Sequence, residues 1–412
     1  MTNSNPSPIL IFCEAISYGH KARALIMARW LKPLGRKLIV ACPENSSDMY
    51  TEDGFETVKL DTAEPAKIYS CLCQGRAMYV TEEVLNYYRQ DDQLIADIKP
   101  CLIVSEFRFT AQQLAAKYGI PCVSAIETTT HPNFEPDLSL PDPYAKPTFI
   151  PIEILDFFSQ KTPIGRIVKG FAEADLSQPM RQASKAYGLE VLPKYYDYLA
   201  NADLCLLCDH PAMIPVHPLR PQDIYVGAML LESSEPLPSE LSRLDPNKKT
   251  VYLCPGTQGS LKTDFAEPYI NLLLKAGIQV ILSRGKRQFD ISINHPNLLV
   301  FDFINESKLL SQVDLIVYPG GLMTTYQALY SGVPLMAIPA HANQLFCAQS
   351  IKRNHLGYYI RPSRLKVEKL MELTLDLLDN QNVKANVKSM QHQLTTFNGS
   401  QVAVSRIKSL LN

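Results

Sequence analysis

Leu315 to Tyr330 reads LIVYPGGLMTTYQALY. Its first four residues are an unbroken apolar run with β-branched residues at the centre, the pattern of a strand covered on both faces. The last nine carry apolar residues at helical spacing and contain neither glycine nor proline. Between them Pro319-Gly320-Gly321 permits a turn tight enough to lead the strand directly into the helix. A buried strand, a glycine turn and a helix make half of a βαβ unit, and such units build parallel sheets with helices on their faces.

The same grammar extends in both directions. Strands are expected at Val251 to Cys254, Gln279 to Ser283, Leu298 to Phe301 and Pro334 to Ile338, with helices between them. Towards the amino terminus they are expected at Ile9 to Ala15, Lys37 to Ala41, Thr57 to Leu60, Leu102 to Glu106, Pro121 to Ala125, Leu204 to Cys208 and Ile224 to Ala228. A loop from Ile16 to His20 is expected to lead into a helix from about Lys21 to Leu34, with further helices at Thr81 to Ile98 and Thr110 to Tyr118. The fold class is therefore α/β, with two open parallel sheets. A stretch rich in Glu, Ser and Pro, Leu231 to Asn247, reads as the linker, giving domains at 1–230 and 248–395. The tail 396–412 is a short amphipathic helix that needs a surface to dock on, and the first domain is the expected one.

Composition narrows the function. The chain has 412 residues, 46% hydrophobic and 20% charged, enough for two cores at about 150 residues per domain. Its 40 basic and 41 acidic residues are interspersed, whereas a nucleic-acid binder concentrates Lys and Arg against phosphates. No run reaches the ~18 apolar residues of a membrane span, and the start, MTNSNPSP, lacks a signal-peptide pattern, so the expected compartment is the cytoplasm. Ten scattered cysteines suit a reducing compartment. Cys205 and Cys208 form a C-x-x-C inside a strand, where positions i and i+3 point to opposite faces, so they read as core rather than metal ligands. The sequence carries no signal for an oligomeric state.

Three loops follow strand ends. Pro255-Gly-Thr-Gln-Gly-Ser260 offers a flexible backbone with two hydroxyls, Thr257 and Ser260, to cradle a phosphate. Gly320 and Gly321 either let an anion approach the free N–H groups and positive dipole end of the next helix, or serve only the turn. His20 lies just after the first strand. The stretch from His131 to Pro163 is rich in proline and aromatics. It is either a surface loop packed down by its own rings or the lining of an apolar ligand site, with Phe134 and Tyr144 as contacts. Neither G-x-G-x-x-G nor the Walker pattern is present, and no Asp-x-Asp pair offers to clamp a diphosphate through a metal, so neither cofactor nor metal is expected.

The segment Asn297 to Ile360, NLLVFDFINESKLLSQVDLIVYPGGLMTTYQALYSGVPLMAIPAHANQLFCAQSIKRNHLGYYI, resembles the donor-binding signature of the UDP-glycosyltransferase superfamily, family 1, including the bacterial macrolide glycosyltransferases. The likeness extends to Gly256 to Ser260, to Gly19-His20 and to Leu102 to Glu106, nearly the whole chain. It implies the GT-B fold, two facing Rossmann-like domains with acceptor on the first and donor on the second. On this resemblance the diphosphate loop falls on Gly320, Gly321 and Thr324, with Thr257 and Ser260 opposite. The ribose-binding acid falls on Gln327 and the sugar-hydroxyl pair on Asn343-Gln344. Backbone groups around Phe303 and Ile304 take the base, since Trp30, the only tryptophan, lies in an amino-terminal helix. Arg284 is either a phosphate or base contact or a solvated surface arginine. The chain departs from the family pattern at Pro319, where a phosphate-contacting His is usual, at Met323 for a glycine and at Asn305-Glu306 for Pro-Gln.

The activity so implied is inverting, metal-independent transfer of a sugar from a UDP- or dTDP-sugar to a hydroxyl of a small, largely apolar acceptor. His20 would be the base and Glu106, at the position of the family's Asp, its partner; a histidine that merely caps the helix or lines the site is the plainer reading. Two alternatives stay open: a nucleotide-sugar epimerase, which needs carboxylates where Gln327 and Asn343 stand, and a non-catalytic binder of sugar nucleotides or lipids.

Overall fold

The computed structural model describes residues 7–74, 76–135, 163–231, 236–256 and 261–411. Tyr144, Thr257 and Ser260 lie outside the described residues. Contacts divide the chain into one unit of Met1–Pro136, Lys161–Leu230 and Phe397–Asn412 and a second of Asp137–Gln160 and Leu231–Thr396.

The first unit is built on seven parallel strands: β1 (Ile9–Cys13), β2 (Leu38–Cys42), β3 (Glu56–Lys59), β4 (Leu102–Glu106), β5 (Cys122–Ile126), β6 (Leu204–Leu207) and β7 (Asp223–Tyr225). Their order is β3-β2-β1-β4-β5-β6-β7. Every residue of β1, β2, β4 and β5 is buried, which is why these strands read as continuous apolar runs rather than alternating ones. The chain winds outward from β1 through β2 to β3, then crosses back to place β4 on the other side of β1. The carboxyl ends of β1 and β4, where Cys13 pairs in register with Glu106, thus flank a topological switch point. Cys205 in β6 and Cys208 just after it are both buried free thiols.

Just past β4, Phe107 adopts a left-handed backbone (φ 59°) and Arg108 turns into the core, fully buried. Its guanidinium donates to Glu14 Oε2 at 2.7 Å and, as a fork, to Asp91 at 2.8 and 2.9 Å, while its face lies 3.9 Å from the Tyr87 ring centre. This cluster fastens the ends of β1 and β4 to the helix Thr81–Ile98. The helix Gly399–Leu410 also belongs to this unit. It buries Gly399, Ala403 and Ile407, one helical stripe, against β6, β7 and the helix Tyr18–Leu31. A side chain at Gly399 would put its Cβ 2.4 Å from the Val226 backbone, so the close approach requires glycine.

The second unit carries six parallel strands: β8 (Thr250–Leu253), β9 (Gln279–Ser283), β10 (Leu298–Phe301), β11 (Leu315–Tyr318), β12 (Leu335–Ala337) and β13 (Gly357–Tyr359), ordered β10-β9-β8-β11-β12-β13. Its switch point falls between β8 and β11, so the loops Cys254–Gly256 and Pro319–Gly321 emerge side by side.

Candidate active site

In the first unit the helix after β1 runs from Tyr18 to Leu31, not from Lys21 to Leu34. Ser17 is extended (φ −138°, ψ 171°) and its carbonyl already accepts the Lys21 N–H, so the helix opens earlier and His20 sits in its first turn rather than in a loop. At the other end Lys32–Leu34 closes as a 3₁₀ turn around Pro33, whose ring cannot continue the α-helical ladder. Residues three apart on a helix share a face, which brings Arg23 beside His20.

The last residue of β4 meets that face. His20 Nδ1 lies 2.9 Å from Glu106 Oε1 and 3.0 Å from Oε2. Two carboxylate oxygens favour a proton on Nδ1, donated to Glu106, while Arg23 Nη2, itself a donor, stands 3.0 Å from the same nitrogen and opposes it. With the proton on Nδ1, the imidazole is held against Glu106. The Nε2 lone pair is then the one available to a substrate proton. Arg23 donates from Nε to Glu106 Oε1 at 2.8 Å and from Nη1 to Glu127 Oε1 at 3.2 Å. Burial disfavours the Arg23 cation, but Glu106 and Glu127 more than offset this and hold its pKa above the ordinary arginine value. Phe107 packs edge-on to the imidazole, ring centres 4.9 Å apart. Carboxylate, imidazole and guanidinium are all buried, with His20 7% and Arg23 7% exposed. Such an arrangement orients an imidazole against a fixed carboxylate, the geometry that a general base requires.

In the second unit the glycine turn is asymmetric. Gly320 has φ +88° and its missing Cβ would fall 3.2 Å from the Gln344 backbone oxygen, so it is required by geometry. Gly321 has ordinary extended angles (φ −62°, ψ 136°) at the N-cap of the helix Leu322–Tyr330, and a Cβ there would meet no atom of the described residues within 4 Å. Among the described residues, then, fold geometry does not demand its lack of a side chain, and a helix N-terminus with such a glycine beside it can serve as an anion cradle.

The remaining expected residues divide. Gln344 is buried and its Oε1 accepts the Ala340 N–H at 2.9 Å, so that oxygen braces the entry to the helix Ala342–Arg353; Asn343 and Gln327 are half-buried. Arg284 pairs with Asp302 at 2.9 Å. Ile304 is buried, leaving only its backbone for a ligand, whereas Phe303 is 52% exposed, with the Lys286 ammonium 5.2 Å from its ring centre. Thr324 lies in the first turn of its helix, its hydroxyl 2.9 Å from Glu306 Oε2. Phe134, in the first unit, is half-buried just past His131. Arg23 and Glu127 escaped the sequence reading, and Glu306 entered it only as a departure from the family pattern, so three residues of these sites had no role assigned. Only the i, i+3 spacing of His20 and Arg23 was a usable signal; the other two are joined to the sites by tertiary packing.

Residues 250–404 match the glycosyltransferase family 28 C-terminal domain. A rhamnosyltransferase of PGL/p-HBAD biosynthesis from Mycobacterium bovis is 22% identical over 371 residues, covering 90% of this chain and 80% of the relative. Among solved structures, the calicheamicin glycosyltransferase CalG4 superposes with a TM-score of 0.72 at 18% identity, over 98% of both chains. The glycosyltransferase VinC in complex with dTDP gives a TM-score of 0.67 at 15% identity, over 98% of this chain and 99% of its own. With two parallel sheets that each present a switch-point site, the chain has the GT-B fold of these glycosyltransferases, and residues 250–404 form a glycosyltransferase family 28 C-terminal domain.

Proposed function

We propose that this glycosyltransferase transfers a sugar, with inversion at the anomeric carbon and without a metal ion, from a UDP- or dTDP-sugar to a hydroxyl of a small, largely apolar acceptor. The observation that carries the reading is the buried His20–Glu106 pair at the carboxyl ends of β1 and β4, with Nε2 left as the free basic nitrogen. As the acceptor oxygen attacks the anomeric carbon, Nε2 takes its proton. The bond from that carbon to the phosphate oxygen breaks, and the nucleoside diphosphate leaves with the electron pair. One displacement inverts the centre. The imidazolium is stabilised by Glu106, which Arg23 holds in place.

The donor diphosphate belongs, in this reading, at the N-terminus of the helix Leu322–Tyr330, where backbone N–H groups and the dipole take the part of a cation. Occupation of a similar fold by dTDP in VinC supports dTDP as the nucleotide, and the name of the mycobacterial relative makes a rhamnose donor the first to try. Phe134 and Tyr144 are proposed to line the acceptor side.

The test is incubation with mixed UDP- and dTDP-sugars and phenolic or macrolide acceptors, in the presence of EDTA, read by mass spectrometry and by NMR of the new linkage. A glycoside of inverted configuration supports the proposal. A retained configuration or EDTA sensitivity overturns the mechanism, an epimerised donor makes the protein an epimerase, and tight donor binding without any product makes it a binder.

A further inference from the structure

Glu306 opens the short helix Glu306–Leu309 beyond β10, and its carboxyl lies beside β8 and beneath the glycine turn. The Tyr252 hydroxyl lies 3.1 Å from Oε1, the Thr324 hydroxyl 2.9 Å from Oε2, and the Cys254 thiol also bonds to it. Among the described residues no Lys, Arg or His reaches it at ion-pair distance. The titratable groups that face it are the phenols of Tyr252 and Tyr318 and the Cys254 thiol, none of which supplies positive charge. The Arg287 guanidinium, which interacts with Cys254, is turned to the carbonyls of Pro255 and Leu261, 3.3 and 2.8 Å away. Lys308, on the same helix, is exposed. Removal of water raises the pKa of the carboxyl above the ordinary glutamate value, against the opposing effect of its three hydrogen bonds.

The consequence concerns Thr324. Facing an ionised Glu306, its hydroxyl must donate inward and can present only lone pairs to whatever lies over the helix N-terminus. Facing a neutral acid, it can accept the carboxyl proton and turn its own hydrogen outward. A diphosphate brings further negative charge one hydroxyl away from a group with no counter-ion, which favours the neutral acid again. We propose that Glu306 binds a proton when the donor binds, and as a neutral acid hands a hydrogen bond through Thr324 to the diphosphate, so that donor affinity is coupled to pH. The inference rests on the placement of the diphosphate at this turn.

The sign follows from the linkage. Binding favours the protonated form, so affinity is fully present below the pKa of Glu306 in the free protein and falls as the pH rises through it, by at most about tenfold per pH unit. The probes are UDP-glucose and dTDP-glucose, whose esterified diphosphates keep a fixed charge. They are titrated calorimetrically between about pH 5 and about pH 9 in two buffers of different ionisation enthalpy. The wild type should bind more weakly as pH rises and take up a fraction of a proton per ligand. Glu306→Gln, which keeps the shape and a donor but cannot ionise, should bind with no pH dependence and no proton uptake. Glu306→Ala should also be independent of pH but weaker. Equal pH dependence in wild type and either variant overturns the proposal and leaves the donor site standing. Failure of both sugar nucleotides to bind the wild type at any pH overturns the donor site, and the proposal with it.

Discussion

His20 Nδ1 lies within 3.0 Å of both carboxylate oxygens of Glu106, 86 residues away in sequence. In the proposed mechanism that contact holds the proton on Nδ1, and Nε2 is the base. Replacement of His20 by Ala should lower turnover by roughly two to four orders of magnitude while donor affinity survives. Glu106→Gln should be nearly as damaging, because the amide can donate to Nδ1 and drive the proton onto Nε2, the wrong tautomer for a base. Turnover with a competent acceptor, measured separately from calorimetric donor binding, decides this; near-normal turnover in His20→Ala would remove the mechanism.

Arg23 touches the Glu106 carboxylate, not a reacting atom, and its effect should appear as positioning. Arg23→Met removes a cation beside the dyad. Glu106 then loses the donor that holds it against the imidazole, and kcat should fall while calorimetric donor affinity is kept. Arg23→Lys keeps the charge but not the planar fork and should recover only part of that loss. A purely structural arginine would lower the melting temperature in both variants and leave kcat unchanged.

Central strands were the most legible part of this chain. Leu102–Glu106, Gln279–Ser283 and Leu315–Tyr318 occupy the expected positions because a parallel strand buried on both faces has to be an apolar run. Gly357–Tyr359 escaped because an edge strand of glycine and two half-buried tyrosines carries no such run. The start of the first helix was misplaced because Ser17 caps by backbone conformation, without the side-chain hydrogen bond that a cap motif advertises. At the sites, Gly320 could be singled out from its place after a strand end, and Glu106 from such a place together with the family resemblance. Glu306 could not, since its meaning lies in what surrounds it: a carboxyl at the start of a short helix reads as ordinary dipole compensation until Tyr252 and Thr324 are seen to close on it.

Arg108 should prove structural. It neutralises Glu14 and Asp91 where no water reaches, and its loss leaves carboxylates buried without a partner. Arg108→Met should destabilise the first unit by about 3–5 kcal/mol in denaturant unfolding. Burial raises the pKa of Glu14 despite the Arg108 charge, and removing that charge raises it further. The variant therefore folds best with Glu14 protonated, and the stability gap to wild type should narrow as pH falls and widen as it rises. A pH-independent gap would mean that lost packing on Tyr87, not charge, is what the arginine contributes.

The two glycines of the turn make opposite predictions, and the pair tests where the donor sits. Gly320 holds φ +88°, and a Cβ there would press on the Gln344 carbonyl, so Gly320→Ala should cost about 1–3 kcal/mol of stability whatever the ligand. Gly321 has backbone angles open to any residue, and its missing side chain would point into space. Gly321→Leu should therefore unfold within about 0.5 kcal/mol of wild type. Its isobutyl group would nevertheless lie over the N-terminal N–H groups of the helix Leu322–Tyr330, where in this reading the diphosphate's charge is met. Binding of dTDP-glucose or UDP-glucose should then fall below calorimetric detection in a protein whose melting curve is unchanged. If Gly321→Leu binds the sugar nucleotide with wild-type affinity, the diphosphate lies elsewhere, and Gly321 serves the turn alone.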